Sequence, residues 1–512
     1  MKATTVGHFL LLVMTCSATA ITTSSASGNE TETDGLSLLD LKKSITLDPQ
    51  QALASWNGST HFCSWEGIMC TATIPRHVAS IRLERRGLVG QISPSLGNFT
   101  FLRNLSLASC NQPVLRRNPC IPRPPPATPV PVPEQQHAAG EDTEFHKLFQ
   151  PQGAVAAPER SCRTVSNRTV PPGLRQLQLR ACASNNFVGS IPDEFARLSN
   201  MQQLYMGANQ WSGGFPQAVM NLSALTDLSL GLNLLSGEVP ADLGSALRNL
   251  LLLELPVNFF HGHIPPSLTN ASGLSYIDIS RNSFSGVVPS TIGRLKRLEM
   301  LNLEYNLLQA ESKQDWEFLN SLANCTELID FSVTRNRLWG HVPASLGSLT
   351  SQLQYLYMSE NQLSGEFPSG VANLGNLFIV SLDANQFSGA LPEWLGSLQN
   401  LQKVLLGSNY FSGAIPSSFS NLSQVAELYL ESNRLVSQIP TSFANLSILQ
   451  VLNISNNHGS IPKELFQIPT IRQISLYLNN LHGALHPAMG NARQLTYLQL
   501  PTSVKQFVWT NP

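Results

Sequence analysis

Apolar residues recur along most of this chain in the frame L-x-x-L-x-L-x-x-N, followed by another apolar residue, a Gly and a Pro. Residues 225–240 show it in full as Leu225, Leu228, Leu230, Asn233, Leu235, Gly237 and Pro240. The Asn returns at 185, 209, 233, 258, 282, 306, 336, 361, 385, 409, 433, 457 and 479, with spacings of 24 or 25 residues except for one of 30 and a last one of 22. Thirteen returns at so steady a period mark an array of repeated units rather than separate domains.

The spacing predicts the local structure. The last two apolar positions of L-x-x-L-x-L lie two residues apart, so they share one face of a short strand and point into a core, while the residues between them point out. The Asn ends the strand and offers an amide to the turn, Gly permits a tight bend, and Pro stops a helix. One unit cannot bury its Leu face alone, so the units stack into an α/β solenoid with a parallel sheet on its concave side, the strands about 4.8 Å apart.

Charge and targeting signals narrow the function. The 512 residues carry a net charge of -1, with 13% charged residues and 42% hydrophobic ones, which excludes a strongly basic nucleic-acid binder, a disordered chain and a polytopic membrane protein. Lys2, the apolar run from Phe9 to Met14 and Ala18-Thr19-Ala20 read as a signal peptide over residues 1–20. No later apolar stretch reaches the roughly 18 to 20 residues of a membrane span. Asn-x-Ser/Thr sequons at Asn57, Asn98, Asn104, Asn221, Asn270, Asn324, Asn421, Asn445 and Asn453 fit a glycoprotein of the secretory route.

The extended frame L-x-x-L-x-L-x-x-N-x-L-x-G-x-I-P, seen in Leu401 to Pro416 and Leu377 to Pro392, resembles the plant-type leucine-rich repeat of receptor-like kinases and receptor-like proteins. The likeness covers Val78 to Cys110 and about Leu177 to Leu500 and implies a right-handed solenoid. Residues 30–77 resemble that family's N-terminal cap, with a helical Leu38-Leu39-x-Leu41-Lys42 and Cys63-Ser-Trp65-Glu-Gly67-Ile-Met-Cys70. The resemblance implies that Cys63 and Cys70 form a disulfide shielding the first coil. Ser312-Lys-Gln-Asp-Trp316-Glu-Phe-Leu, in the 30-residue unit, is similar to the grass immune receptor kinases.

The frame fails in one place. Residues 78–110 begin the repeats, but Cys110 stands where Leu102, Leu105 and Leu107 call for an Asn, and nine Pro fall between Pro113 and Pro133. Leu174, Leu177 and Leu179 restart a frame whose Asn position is Cys182, in conflict with Asn185. Residues 111–175 read as a Pro-rich disordered insertion or mispredicted coding segment replacing some coils, with an island domain stapled by Cys110, Cys120, Cys162 and Cys182 as the rival. Repeats then occupy 176–512, the last incomplete and without a C-terminal cap.

Function is expected on the concave face. Counting six, four and two positions back from each Asn selects its outward residues, among them Tyr205, Tyr276, Tyr355, Tyr357, Tyr429 and Tyr477, with Asp227, Glu254, Asp278, Glu304, Asp330, Asp383, Glu427 and Glu431 and the one basic residue Lys403. An acidic groove lined with Tyr favours a cationic or polar peptide, against the plainer reading of a solvated sheet face. Paired Arg grip peptide carboxylates in some related receptors, but Arg335 and Arg337 bracket the structural Asn336 and do not lie along the strand. Cys325 reads as a small buried core residue.

Neither a catalytic set nor a metal or cofactor motif emerges, and the Gly-rich loop, H-R-D and D-F-G elements of a kinase are absent. The reading is a non-enzymatic ectodomain that binds a peptide or protein in plant immunity or development, with an LRR co-receptor kinase as a further partner. It is not expected to signal alone. The alternatives are a secreted inhibitor of cell-wall-degrading enzymes and part of a membrane serine/threonine receptor kinase.

Overall fold

The computed structural model describes residues 26–108, 185–460, 462–479 and 490–500. The signal peptide over 1–20, the Pro-rich segment over 111–175 and Cys110, Cys120, Cys162 and Cys182 lie outside them.

Each repeat contributes a three-residue strand such as Tyr276–Asp278 or Asp330–Ser332, and these join in a 16-stranded sheet among the described residues. The ladder is parallel and in register, so that Tyr276, Met300, Asp330 and Tyr355 stand side by side, as do Asp278, Asn302, Ser332 and Tyr357. Leu, Ile, Val and Phe from every coil fill one continuous core that runs from Leu38 to Leu476.

Two features go beyond the sequence reading. The residues after each Asn form a second, 14-stranded sheet along another side of the solenoid, made of strands such as Gln386–Ala390 and Tyr410–Gly413. Its inward position carries a ladder of large side chains in which Phe187 stacks on Trp211 at 5.6 Å and Phe387 on Phe411 at 6.2 Å. The repeated Pro, expected to stop a helix, instead precedes one: Pro392, Pro416 and Pro440 are the caps of 3-10 turns over Glu393–Ser397, Ser417–Asn421 and Thr441–Asn445. Its fixed φ suits a residue entering a turn.

The Asn does more than end a strand. In Asn306 the amide nitrogen donates to Ile279, Leu303 and Glu304 carbonyls at 3.1 to 3.2 Å, and the amide oxygen accepts from the Phe284 N–H at 3.0 Å. One buried side chain thus ties its own turn to the coil before it. The residue ahead of the Asn takes the left-handed conformation, as in Arg281, Tyr305 and Arg335 with φ of 53°, 55° and 52°. At the last Asn the spacing of 22 shifts this pattern, and Asn479 accepts from the Asn457 N–H itself.

The ladder runs on across the break in the frame. The strand Asn104–Ser106 pairs directly with Gln203–Tyr205, so the sheet skips no coil across it. Asn185 donates to the carbonyls of Leu83 and Leu107 at 2.8 Å each and accepts from the Leu88 N–H at 3.0 Å. These match three of the four bonds that Asn306 makes, and they make Asn185 the Asn of the coil that Leu102, Leu105 and Leu107 begin. The strands on either side of the intervening segment are thus direct neighbours on the ladder.

At the N-terminal end the helix Ala26–Ser44 lays Leu38 and Leu41 on the first coil. Trp56 stacks on Trp65 at 5.8 Å, Lys42 donates to the carbonyls of Leu53 and Trp56 at 2.8 Å, and Cys63 is bonded to Cys70. The strand Ile68–Cys70 pairs antiparallel with Val78–Arg82 and so closes the edge of the concave sheet. In the 30-residue unit the extra residues form the α-helix Glu317–Leu322, with Trp316 and Phe318 buried. Cys325 is buried in the core beside it, where loss of water pushes its thiol up to about 12.

Candidate functional site: the concave trough

All fifteen residues selected from the sequence lie on the concave strands or just beyond them, and none is fully exposed. The face is a trough whose middle row, four positions before each Asn, is nearly closed to water from Tyr205 to Ser332. There Tyr205 is 8% exposed, Glu254 4% and Asp278 1%. For these three the picture of a solvated sheet face does not hold. The flanking rows, six and two positions before the Asn, are half-buried and include Asp227, Tyr276, Glu304, Asp330, Tyr355, Asp383, Lys403, Glu427, Glu431 and Tyr477; Tyr357 and Tyr429 of the middle row are half-buried too.

The carboxylates gather in two places. In the first, Glu254 and Asp278 are neighbours across the ladder, and Asp330 lies two strands further, with Glu304 just beyond the end of the strand between. Burial, and then the charges of Glu304 and Asp278, push the Asp330 carboxyl up to about 7. Arg281 approaches Glu304 at 3.6 Å. In the second, Asp383 accepts from the hydroxyls of Ser359 and Ser381 at 2.5 and 2.8 Å. Glu431 lies over Gly407, where a side chain would strike its carboxyl, and burial and then Asp383 push it up to about 7 against a lowering backbone hydrogen bond.

Lys403 does not stand apart from this charge. Its ammonium is 2.6 Å from Glu427 and lies over the ring of Tyr429, so two of the selected residues neutralise each other. Tyr205, at the other end, has its hydroxyl held well above its usual range by burial and then by Asp227.

Selecting only Tyr and charged residues missed the polar remainder of the same rows: Ser229, Ser280, Asn302, Ser332, Ser359 and Ser381, all buried. The same count from the Asn finds them once every polar type is kept. It does not find the residues just before the Asn, which form a ladder at the trough's rim. The guanidinium of Arg281 lies 3.9 Å from the Tyr305 ring centre, that of Arg335 lies 4.9 Å from it, and Arg335 reaches Glu360 at 3.6 Å. Arg337 belongs to the other sheet, in Arg337–His341.

Of the sequons, Asn57, Asn98, Asn221, Asn270, Asn324, Asn421 and Asn445 are exposed, five of them at the last residue of a 3-10 turn and so away from the trough. Asn104 and Asn453 sit on concave strands with their amides engaged, Asn104 with Gln203 and Asn453 with Ser455.

Comparison with known proteins agrees with this architecture. Residues 31–71 match the leucine rich repeat N-terminal domain, and 263–324, 352–374, 375–435 and 399–458 match leucine rich repeats. The chain is 37% identical over 90 residues to the LRR receptor-like serine/threonine-protein kinase EFR of Arabidopsis thaliana and 35% identical over 81 residues to the receptor kinase-like protein Xa21 of Oryza sativa subsp. japonica. Those stretches are 18% and 16% of this chain and only 9% and 8% of the two kinases. Among solved structures it is similar to the plant peptide hormone receptor RGFR1 in complex with RGF2, at a TM-score of 0.63 and 25% identity over 83% of this chain and 55% of that one. The Leptospira interrogans LRR protein LIC12759 shares the fold, at a TM-score of 0.51 and 21% identity over 82% of this chain and 95% of that one. With its cap, its coils and its concave ladder, the chain carries leucine-rich repeats and is built like the leucine-rich-repeat ectodomains of plant receptor kinases.

Proposed function

We propose that this chain is the ligand-recognition region of an extracellular or cell-surface receptor and that it binds an extended peptide, or a segment of a protein, along the concave trough. The observation that carries this is the trough itself. Ten of the thirteen repeats contribute a Tyr ring or a carboxylate to the in-register ladder, and the exposed sequons at the turns leave that face open. Stiff aromatic area beside buried charge favours recognition of a polar chain over general adhesion. The likeness to the plant peptide hormone receptor RGFR1, solved in complex with RGF2, supports the choice of a peptide.

The resemblance of the Trp316 unit to grass immune receptor kinases favours a role in defence over development. In a product that also carries a membrane helix and a kinase, the bound ligand would be presented to a co-receptor kinase. Among the described residues no helix is long and apolar enough to cross a membrane.

The test is capture of secreted plant peptides by the glycosylated chain, repeated with Tyr355→Ala/Tyr357→Ala on the trough and with Tyr410→Ala on the other sheet. Peptides retained by wild type and the Tyr410 variant but lost by the trough variant are expected. Equal capture by all three overturns the reading.

A further inference from the structure

We propose that the trough between the strands Leu252–Glu254 and Asp330–Ser332 is a subsite for one cationic side chain, Arg or Lys, of the bound peptide. The proposal rests on the peptide-binding reading above and adds the chemistry of one contact.

Four carboxylates, Glu254, Asp278, Glu304 and Asp330, face the same few coils, and Arg281 at the rim approaches Glu304 at 3.6 Å. Independently of these charges, the hydroxyl oxygens of Ser280 and Ser332 are buried there without a hydrogen-bond partner, the residues being 0% and 4% exposed. Each stands two residues beyond a cluster carboxylate, Ser280 after Asp278 and Ser332 after Asp330, and so on the same face of its strand.

Asn302, between them on the ladder, already spends its amide oxygen on the Glu304 N–H at 3.1 Å. The place therefore keeps two hydroxyl oxygens unmet beside four carboxylates, with the Arg281 Nε likewise unmet at the rim. A guanidinium, with five N–H groups, or an ammonium, with three, can donate to those oxygens. The row of Tyr276, Met300 and Tyr355 beside Asp330 supplies an apolar wall for the aliphatic stem of such a side chain.

A cation here competes with a proton. The groups facing Asp330 are the carboxylates of Glu304 and Asp278, with Glu254 beyond them, Arg281 at the rim, and the Tyr276 and Tyr355 rings on the same row. Burial among them raises the Asp330 carboxyl to about 7. Binding of the basic side chain then displaces a proton, and affinity rises as pH goes from 5.5 to 8.

The probe is a library of random linear dodecapeptides selected on the immobilised glycosylated chain. Arg or Lys is expected at one fixed position of the enriched peptides. Asp278→Asn/Asp330→Asn should weaken those peptides by about tenfold or more, and citrulline in place of the Arg should cost the same factor. The rise with pH should vanish in Asp330→Asn. Cooperative melting certifies each variant, and the half-buried Glu304→Gln serves as the second variant if the double one melts poorly. Peptides that need Tyr355 and Tyr357 but show no basic position, or bind the acidic and neutralised chains alike, overturn the subsite and leave the groove standing. If no selected peptide depends on the trough, both fall.

A second inference has its own support. We infer that the 75 residues 110–184 are an addition to a complete coil and that the solenoid does not need them. Asn185 makes the bonds of that coil's Asn, and joining Ser109 to Asn185 yields Leu105-Ser-Leu107-Ala-Ser109-Asn185-Asn-Phe187, the full repeat frame. It also puts that Asn 24 residues after Arg86, which holds the corresponding place in the first coil, and 24 before Asn209. Ala-Ser precedes both Cys110 and Asn185, so cutting one residue earlier leaves the same sequence. The chain lacking 110–184 is expected to be secreted, to melt cooperatively at an equal or higher temperature, and to retain the selected peptides. Loss of cooperative melting, or of the peptides, overturns the inference.

Discussion

Asn306 shows how much a single side chain carries in this fold. Four backbone groups from two coils bond to its amide. Asn306→Ala leaves them buried and unpaired, and each such group costs about 1 to 3 kcal/mol, so a loss of several kcal/mol in urea unfolding is expected. An Asp side chain lacks the donor and should not rescue it. Asp330 has the opposite character. Its folded value of about 7 lies above that of an unfolded Asp, so its ionisation opposes folding, with a cost that begins near pH 4 and is complete above about 7. Asp330→Asn should therefore raise the Tm by a few degrees at pH 8 and by about a third as much at pH 5. Equal shifts at both pH values would show that the carboxylate is ionised throughout.

Neighbouring coils approach most closely at the 3-10 turns. A side chain at Gly396 would come 2.1 Å from the Ser418 carbonyl oxygen of the next turn, and one at Gly293 would come 2.2 Å from that of Ser321. Backbone cannot yield as a side-chain tip can, so Gly396→Ala must prise two coils apart and is expected to lower stability by about 1 to 3 kcal/mol. Gly375, which has open space around it, is the control, and its Ala variant should melt like wild type. The cap is a different kind of element, because it covers the first coil without continuing the ladder. Cys63→Ser/Cys70→Ser opens a seven-residue separation, worth about 2.5 kcal/mol by the loop-entropy account. Hydrogen exchange in that variant should rise over the cap and the first coil. The amides of distant coils, such as that of Val404, should exchange as before, since repeats transmit stability through nearest neighbours.

At the scale of the whole molecule, the sequence by itself determined the repeat, the inward Leu, the parallel ladder and the rows from which the trough is built. A frame of 24 residues leaves few other ways to bury its apolar positions, and counting back from the Asn is enough to say which residues share a face. It also pointed to the cap and its Cys63 to Cys70 bond, through likeness to a family. Tertiary structure decided the rest. That Asp278 is buried while Glu427 is half-open depends on how tightly the coils curve and on what the next strand carries, and a single repeat does not encode either. The pairing of Lys403 with Glu427, and of Arg281 and Arg335 with Tyr305, joins residues 24 to 30 positions apart that become neighbours only when coils stack. The plainest case is Asn185. Along the chain it follows a foreign segment and fits no complete frame, whereas in space it lies between Leu83 and Leu107, because hydrogen bonds follow the stacking of coils and not the order of residues.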